Sequence, residues 1–230
     1  MKKELIIFGS NGALGKGVTK LLKTKDYDKI YLFDFHPKEE NPGPSSVHIE
    51  IDDLSIGENA EKAFANIESA KDTAFFLFTT VGGFAGGKKV WDTDLAEWNK
   101  MIEMNLTTSF LISKHFALLV KDSHSGSICF TSAAAALSPE IGKSAYGASK
   151  SALIYLVKTL SEEGKDINLS VNAIAPYIID TPANREWMKD ADFNSWMQPA
   201  EIGELIHSLF NNYNFVTGNI ITLRYRFSII

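Results

Sequence analysis

The chain has 230 residues, 45% of them hydrophobic and 22% charged, which suits one α/β domain with a large core. A formal net charge of -5 gives no electrostatic reason to expect nucleic acid or an anionic membrane as partner, and no apolar run approaches the length of a membrane span. Cys129 is the single cysteine, which excludes an internal disulfide, and only four apolar residues follow Met1-Lys2-Lys3 before Gly9, too few for a secretory core; together these predict a reduced, cytoplasmic protein.

Leu5-Ile6-Ile7-Phe8 reads as a buried strand. It runs into Gly9-Ser10-Asn11-Gly12-Ala13-Leu14-Gly15, after which Leu14, Val18, Leu21 and Leu22 recur at helical spacing. Glycines between a strand and a helix permit a tight turn and let the backbone approach a pyrophosphate, which the helix N-terminus then stabilises. The strand–turn–helix context separates this pattern from a chance match. Ile30 to Asp34 is a second strand, and Asp34 lies nineteen residues after Gly15. A carboxylate there can bind both hydroxyls of an adenosine ribose and would repel a 2′-phosphate, which favours NADH; His36 and Lys38 leave NADPH possible. The plainer role for Asp34 is to cap the turn.

A Pro/Glu/Ser-rich loop from His36 to Ser46 precedes a third strand, Val47 to Ile51. Ala60, Ala63, Phe64 and Ile67 mark a helix. Ala74 to Phe78 is a fourth strand, ending in Val81-Gly82-Gly83-Phe84-Ala85-Gly86-Gly87. A long helix is predicted from about Asp94 to Val120, with Leu95, Trp98, Ile102, Leu106 and Phe110 on one face. Asn105 lies inside it, where asparagine is neutral to unfavourable and needs some other reason. A fifth strand, residues 127–132, leads to Tyr146-Gly147-Ala148-Ser149-Lys150. On a helix, Tyr146 and Lys150 share one face; the ammonium is expected to lower the phenol's pKa and make it a usable proton donor. After a sixth strand, Leu169 to Ile174, comes Pro176-Tyr177-Ile178-Ile179-Asp180-Thr181. Residues 182–200 are rich in Trp, Met and Asp and break the alternation; they are expected to cover the substrate. A helix at 200–211 and a strand at 218–223 close the chain. This alternation predicts a Rossmann-type doubly wound α/β fold, a parallel sheet of about seven strands with helices on both faces, as a single domain over 1–230.

The glycine turn, Asn105, and the Tyr146/Lys150 pair after a strand together resemble the short-chain dehydrogenase/reductase family. The resemblance implies that Tyr146 is the proton donor and that Lys150 holds the nicotinamide ribose and tunes the phenol. Asn105 would hold a water near the lysine. For the cofactor it implies Gly9, Asn11, Gly12, Ala13, Leu14, Gly15, Asp34, Gly82, Gly83 and Lys150, with Asp53 and Leu54 bordering the adenine and Asp52 a rival carboxylate. Pro176, Ile178 and Thr181 would contact the nicotinamide amide and phosphates, although Tyr177 replaces a glycine of that segment.

One position departs from the family. Its catalytic serine usually lies thirteen residues before the tyrosine, and here that residue is Ala133. A bulge could bring Ser132 inward, catalysis could have been lost, or the substrate could need no donor there. The third fits the dihydropteridine reductase branch of the family, which also carries alanine at that position. The glycine spacing, Gly82-Gly83-Phe84-Ala85-Gly86-Gly87, and the run from Asp180 to Trp196 resemble that branch too, with Phe84 in place of a tryptophan. The resemblance implies NADH-dependent reduction of a quinonoid dihydropteridine in a pocket of Phe84, Ala133, Tyr146, Trp187, Met188 and Trp196. For Trp187 and Trp196, packing within the cover is an equal alternative. The other readings are a carbonyl reductase of another small molecule and a catalytically silent nucleotide-binding protein. Family members pair two helices into a dimer, so a homodimer is expected through helices 94–120 and 146–163, with Phe110, Leu153, Leu156 and Leu160 on the shared face.

Overall fold

A computed structural model describes residues 1–36 and 45–227; Lys38 and most of the loop after the second strand lie outside them. Strands β1 (Lys2–Phe8), β2 (Lys29–Asp34), β3 (Ser46–Glu50), β4 (Thr73–Thr79), β5 (Ser125–Thr131), β6 (Leu169–Pro176) and β7 (Ile220–Leu223) form one sheet in the order β3-β2-β1-β4-β5-β6-β7. Every neighbouring pair is parallel. Parallel strands need crossovers, and the crossovers lay helices on both faces. That is why the central strands are buried throughout: β4 at all seven positions and β6 at all eight, including Ser170 and Asn172.

On one face, α2 (Gly57–Phe64), α4 (Thr108–Lys121) and α5 (Ser144–Glu163) pack over Ile6, Phe8, Phe75, Leu77, Ile128 and Val171. On the other, α1 (Ala13–Leu22) and α7 (Pro199–Asn211) cover Leu5, Ile7, Phe76, Phe78, Cys129 and Ile174. Burial pushes the Cys129 thiol up to about 12, so it remains an inert core group. No helix of the described residues is long and apolar enough to cross a membrane. The strand order reverses between β1 and β4, which puts a crevice at the carboxyl edge of the sheet, where such folds take ligands.

Two expectations change. The helix predicted over 94–120 is α3 (Leu95–Ile102) and α4 joined by a π-helical turn, Glu103–Thr107, which contains Asn105. The predicted dimer face is partly wrong. Leu153 is 1% and Leu160 8% exposed, because the inward stripe of α5 buries both against its own sheet, and Leu156 is partly buried there. Phe110 remains 51% exposed, accompanied by exposed Leu118 and Tyr155.

Candidate active site

Four connections meet at the carboxyl edge. The first is the turn after β1. Gly9 has φ 80, and a Cβ on it would lie 2.4 Å from Thr80 Oγ1, so both conformation and space require glycine. Its carbonyl accepts from the Gly12 amide at 3.2 Å and from Thr80 Oγ1 at 3.0 Å, and a Cβ on Gly15 would sit 1.9 Å from the same oxygen. The Asn11 amide donates to Asp34 Oδ2 at 2.6 Å. Helix α1 follows Gly12 with no side-chain cap and no acidic residue in its first turn, which leaves its N-terminal amides to an anion. Ser10 Oγ is buried in this turn with no partner among the described residues.

These residues fit a dinucleotide. The amides of the turn suit its pyrophosphate, and Asp34, at the tip of β2, stands against that turn where a ribose would follow. Asp34 therefore caps the turn as well, which the plainer sequence reading allowed. Asp53 keeps an exposed carboxylate that accepts from the Ser55 amide at 2.9 Å. The Leu54 side chain is in the core, so only its backbone can border a base.

The side chains expected to act in catalysis come from α5 (Tyr146 and Lys150) and the π turn (Asn105). Lys150 is 5% exposed and its Nζ donates to the Thr131 carbonyl at 2.8 Å. The Asn105 amide is fully buried: Oδ1 accepts from the Gly83 amide, while Nδ2 donates to the Gly83 carbonyl, each at 3.0 Å, and to Ser149 Oγ at 3.1 Å. Ser149 Oγ in turn donates to the Tyr146 carbonyl at 2.8 Å. Asn105 is thus a brace between the Gly82-Gly83 loop and the catalytic turn of α5. Gly82 has φ 151, and a Cβ there would lie 2.6 Å from Asn105 Oδ1 and 3.2 Å from Lys150 Nζ. The π turn answers why an asparagine sits mid-helix, since such turns are frequent at functional sites.

The expected lowering of the phenol does not occur. Burial, with the Glu140 charge adding to it, pushes Tyr146 up to about 12, and burial pulls Lys150 down to about 8. The ammonium is turned onto the Thr131 carbonyl rather than spent on the phenol. Tyr146 therefore keeps its proton at neutral pH, the state a donor must start from, and Lys150 is still charged there.

On the substrate side, Phe84 meets the Tyr146 ring edge-on, with centroids 5.0 Å apart and planes at 85°. The Lys143 ammonium lies 5.9 Å from the Phe84 centroid and pairs with Glu140 at 2.6 Å. Ala133 is buried and extended, and the preceding Ser132 Oγ donates to the Lys150 carbonyl at 3.2 Å. That bond commits the Ser132 hydroxyl proton to α5. After β6, Thr181 caps α6 (Pro182–Trp187) by accepting from the Asn184 amide at 3.2 Å. Trp187 is 72% exposed and Met188 partly buried, whereas Trp196 is buried and packs on Phe193 with centroids 4.8 Å apart. Trp196 thus supports the cover from inside.

Residues 3–192 match the family profile described as short chain dehydrogenase. The chain belongs to the short-chain dehydrogenase/reductase family. It is 32% identical over 214 residues to dihydropteridine reductase of Dictyostelium discoideum, covering 92% of this chain and 89% of that one. It is 27% identical over 243 residues to acetoacetyl-CoA reductase of an Acinetobacter species, covering 96% of each. Among solved structures, a short-chain type dehydrogenase/reductase from Mycobacterium ulcerans superposes with a TM-score of 0.85 at 18% identity, over 97% of this chain and 88% of that one. The structure of ElxO with NADP bound superposes with a TM-score of 0.81 at 21% identity, over 97% and 98%. Both share the fold.

As a short-chain reductase the chain has site residues that its sequence did not single out. Ser149 ties the π turn to the Tyr146 carbonyl; its place three residues after Tyr146 was the available signal. Glu140 acts on Tyr146 from a loop, where no periodicity reports position. A separate cavity of about 430 Å³ opens at the opposite edge of the sheet, between His124, Lys165, Asn168 and Tyr213. Tyr146, Lys150 and Asn105 do not line it.

Proposed function

We propose that the chain is an NADH-preferring reductase that converts quinonoid dihydropteridine to the tetrahydro form. The observation that carries this reading is Phe84 edge-on to Tyr146, together with Ala133: an aromatic ring against a protonated phenol, and no hydroxyl where a ketone reductase keeps its second donor. One oxyanion donor is worth about 10²–10³ in rate, so its absence weighs heavily against a substrate that builds charge on a carbonyl oxygen. An electron-poor ring accepts hydride without such a donor and needs a proton on nitrogen instead. The Dictyostelium relative supports the same choice.

When bound, the dinucleotide supplies the hydride. Gly9, Asn11, Gly12, Ala13, Leu14 and Gly15 would hold its pyrophosphate, Asp34 its adenosine ribose, and Asp53 with the Leu54 backbone its adenine. Lys150, Gly82 and Gly83 would hold the second ribose; Pro176, Ile178 and Thr181 would hold the nicotinamide. Tyr146 gives its proton to the substrate ring, and Lys150, held on the Thr131 carbonyl, would position the second ribose beside it. Phe84, Ala133, Trp187 and Met188 form the pocket, with Trp196 beneath. The enzyme works in the cytoplasm as a homodimer, paired through Phe110, Leu118 and Tyr155; sedimentation as a monomer at micromolar concentration rejects that pairing.

The competing reading is a carbonyl reductase, supported by the Acinetobacter relative. It lacks a donor, because the Ser132 hydroxyl proton is already given to Lys150. The test is NADH consumption with quinonoid dihydrobiopterin against a panel of ketones, for the wild type and Ala133→Ser. The pterin is turned over well above its non-enzymatic rate, and Ala133→Ser changes that turnover less than about threefold. A wild type that reduces ketones but not the pterin, or a variant that gains roughly 10²-fold on both, sinks the proposal.

A further inference from the structure

The run from Asp180 to Trp196 follows an order that no packing rule demands, and one carboxylate accounts for much of it. The cover leaves β6 at Tyr177 and returns to α7 at Gln198. Its two ends are joined by a parallel bridge between Ile179 and Met197 and by the Asp180 amide, which donates to the Met197 carbonyl at 2.9 Å. The Asp180 carboxylate adds two further ties. Gln198 Nε2 donates to its Oδ2 at 2.6 Å, and Arg185, one turn into α6, donates Nη2 to Oδ2 at 2.7 Å and Nε to Oδ1. The Arg185 guanidinium then lies 4.7 Å from the centre of the Phe193 ring, midway along the cover. Two side chains, Asp180 and Arg185, therefore join the start, the first helix, the middle and the end of this segment.

We propose that Asp180 and Arg185 form a clasp that holds residues 181–197 over the carboxyl edge and thereby sets the affinity for substrate. Asp180 is a positioning residue: it reaches the substrate only through α6, which carries Trp187 and Met188. An exposed ion pair alone contributes little. Here the carboxylate side chain is 6% exposed, and the fork of Arg185 meets it bidentately, so removing Arg185 leaves the Asp180 charge poorly satisfied. The Arg185 and Gln198 bonds hold the Asp180 carboxyl down to about 2, so the clasp stays charged across any working pH. The far end of the cover is anchored by buried Trp196 and Met197 and by the Arg226 amide on the Ser195 carbonyl, but α6 has no buried residue, and neither has the short 3-10 turn Phe193–Ser195.

The test uses the full chain with Arg185→Gln, Asp180→Asn and the double variant. Two readouts are followed: steady-state kinetics with NADH and quinonoid dihydrobiopterin, and the rate of tryptic cleavage at Lys189. KM for the pterin rises about tenfold in each single variant while kcat falls less than about threefold, and the Kd for NADH stays within about twofold. Cleavage at Lys189 quickens about tenfold, and Arg185→Lys recovers part of the loss. The double variant is no worse than the worse single one, because the two residues act as one device. Unchanged KM and cleavage in Arg185→Gln, or additive effects in the double variant, overturn the clasp. Arg185 is half exposed, so its replacement leaves the fold intact even if Asp180→Asn does not fold. The kinetic readout rests on the proposed pterin activity. If the wild type turns over no pterin, that reading fails, while the cleavage rate still decides whether the clasp exists.

Discussion

The two halves of the crevice are built from different materials. The dinucleotide half is backbone: a turn closed on the Gly9 carbonyl, amides at the start of α1, and a strand tip that presents Asp34. The substrate half is side chain on side chain: Phe84 on Tyr146, Lys143 on Glu140, Arg185 on Asp180 and Phe193. Backbone geometry hangs on a few glycines and the sheet, so it constrains chemistry tightly and substrate hardly at all. Pairs of exposed side chains can be exchanged without disturbing the sheet, so the substrate half is where one short-chain reductase differs from another.

The contrast is sharpest at Tyr146, which should serve the chemistry and not the dinucleotide. Tyr146→Phe should lower kcat by roughly 10²–10⁴-fold with the NADH Kd unchanged, measured by stopped-flow and by fluorescence titration. Comparable turnover in the variant would mean the proton comes from elsewhere. Next is the lysine. Its charged form is the active one, so log kcat/KM should be flat below pH about 8 and fall about tenfold per pH unit above it. Unfolding is not the cause of that fall. The folded-state pKa of Lys150 lies below its ordinary value of 10.5, so in that window the unfolded chain binds more protons and Lys150's contribution to stability rises with pH. A pH profile that runs flat to 10 removes Lys150 from the rate.

Gly82→Ala tests whether backbone alone can break the chemistry. The added methyl collides with Asn105 Oδ1, and φ 151 disfavours any Cβ, so roughly 1–3 kcal/mol of strain falls on the brace. We expect kcat to drop about tenfold or more in a protein that still melts cooperatively. Asp34→Ser probes the dinucleotide half in isolation: the NADH Kd should weaken about tenfold, and the NADPH-to-NADH preference should rise, with kcat at saturation little changed. The smallest effect belongs to Phe84→Ala, which should raise the pterin KM a few-fold and leave NADH binding alone. If Asp34→Ser and Phe84→Ala each moved both ligands equally, the division between the halves would be gone.

The fold was readable because buried parallel strands and amphipathic helices obey fixed periods. All seven strands were legible as apolar runs, and the alternation implied the crossovers. The glycine turn and Asp34 were singled out by their places at strand ends, Tyr146 and Lys150 by their spacing on one helix face, and Asn105 by its odd place inside a helix together with the family resemblance. Other features were not. The pKa of Tyr146 depends on burial and on Glu140, and neither leaves a trace in spacing. Leu153 and Leu160 share a helix with the exposed Tyr155, and only the packed structure says which stripe turns inward. Ser132 could have faced either way; its bond to the Lys150 carbonyl is a tertiary fact.

The π turn at Glu103–Thr107 has a consequence for how such a chain can change. It holds one residue more than a regular α-helix would use over the same rise. A one-residue deletion there would let α3 and α4 fuse into an uninterrupted rod, and would swing Asn105 about 100° relative to α4. The loop at Gly83 and the hydroxyl of Ser149 would lose their brace together. A mutation that tidies the helix would thus disarm the enzyme, so a screen for stability alone should recover such deletions and a screen for turnover should never do so.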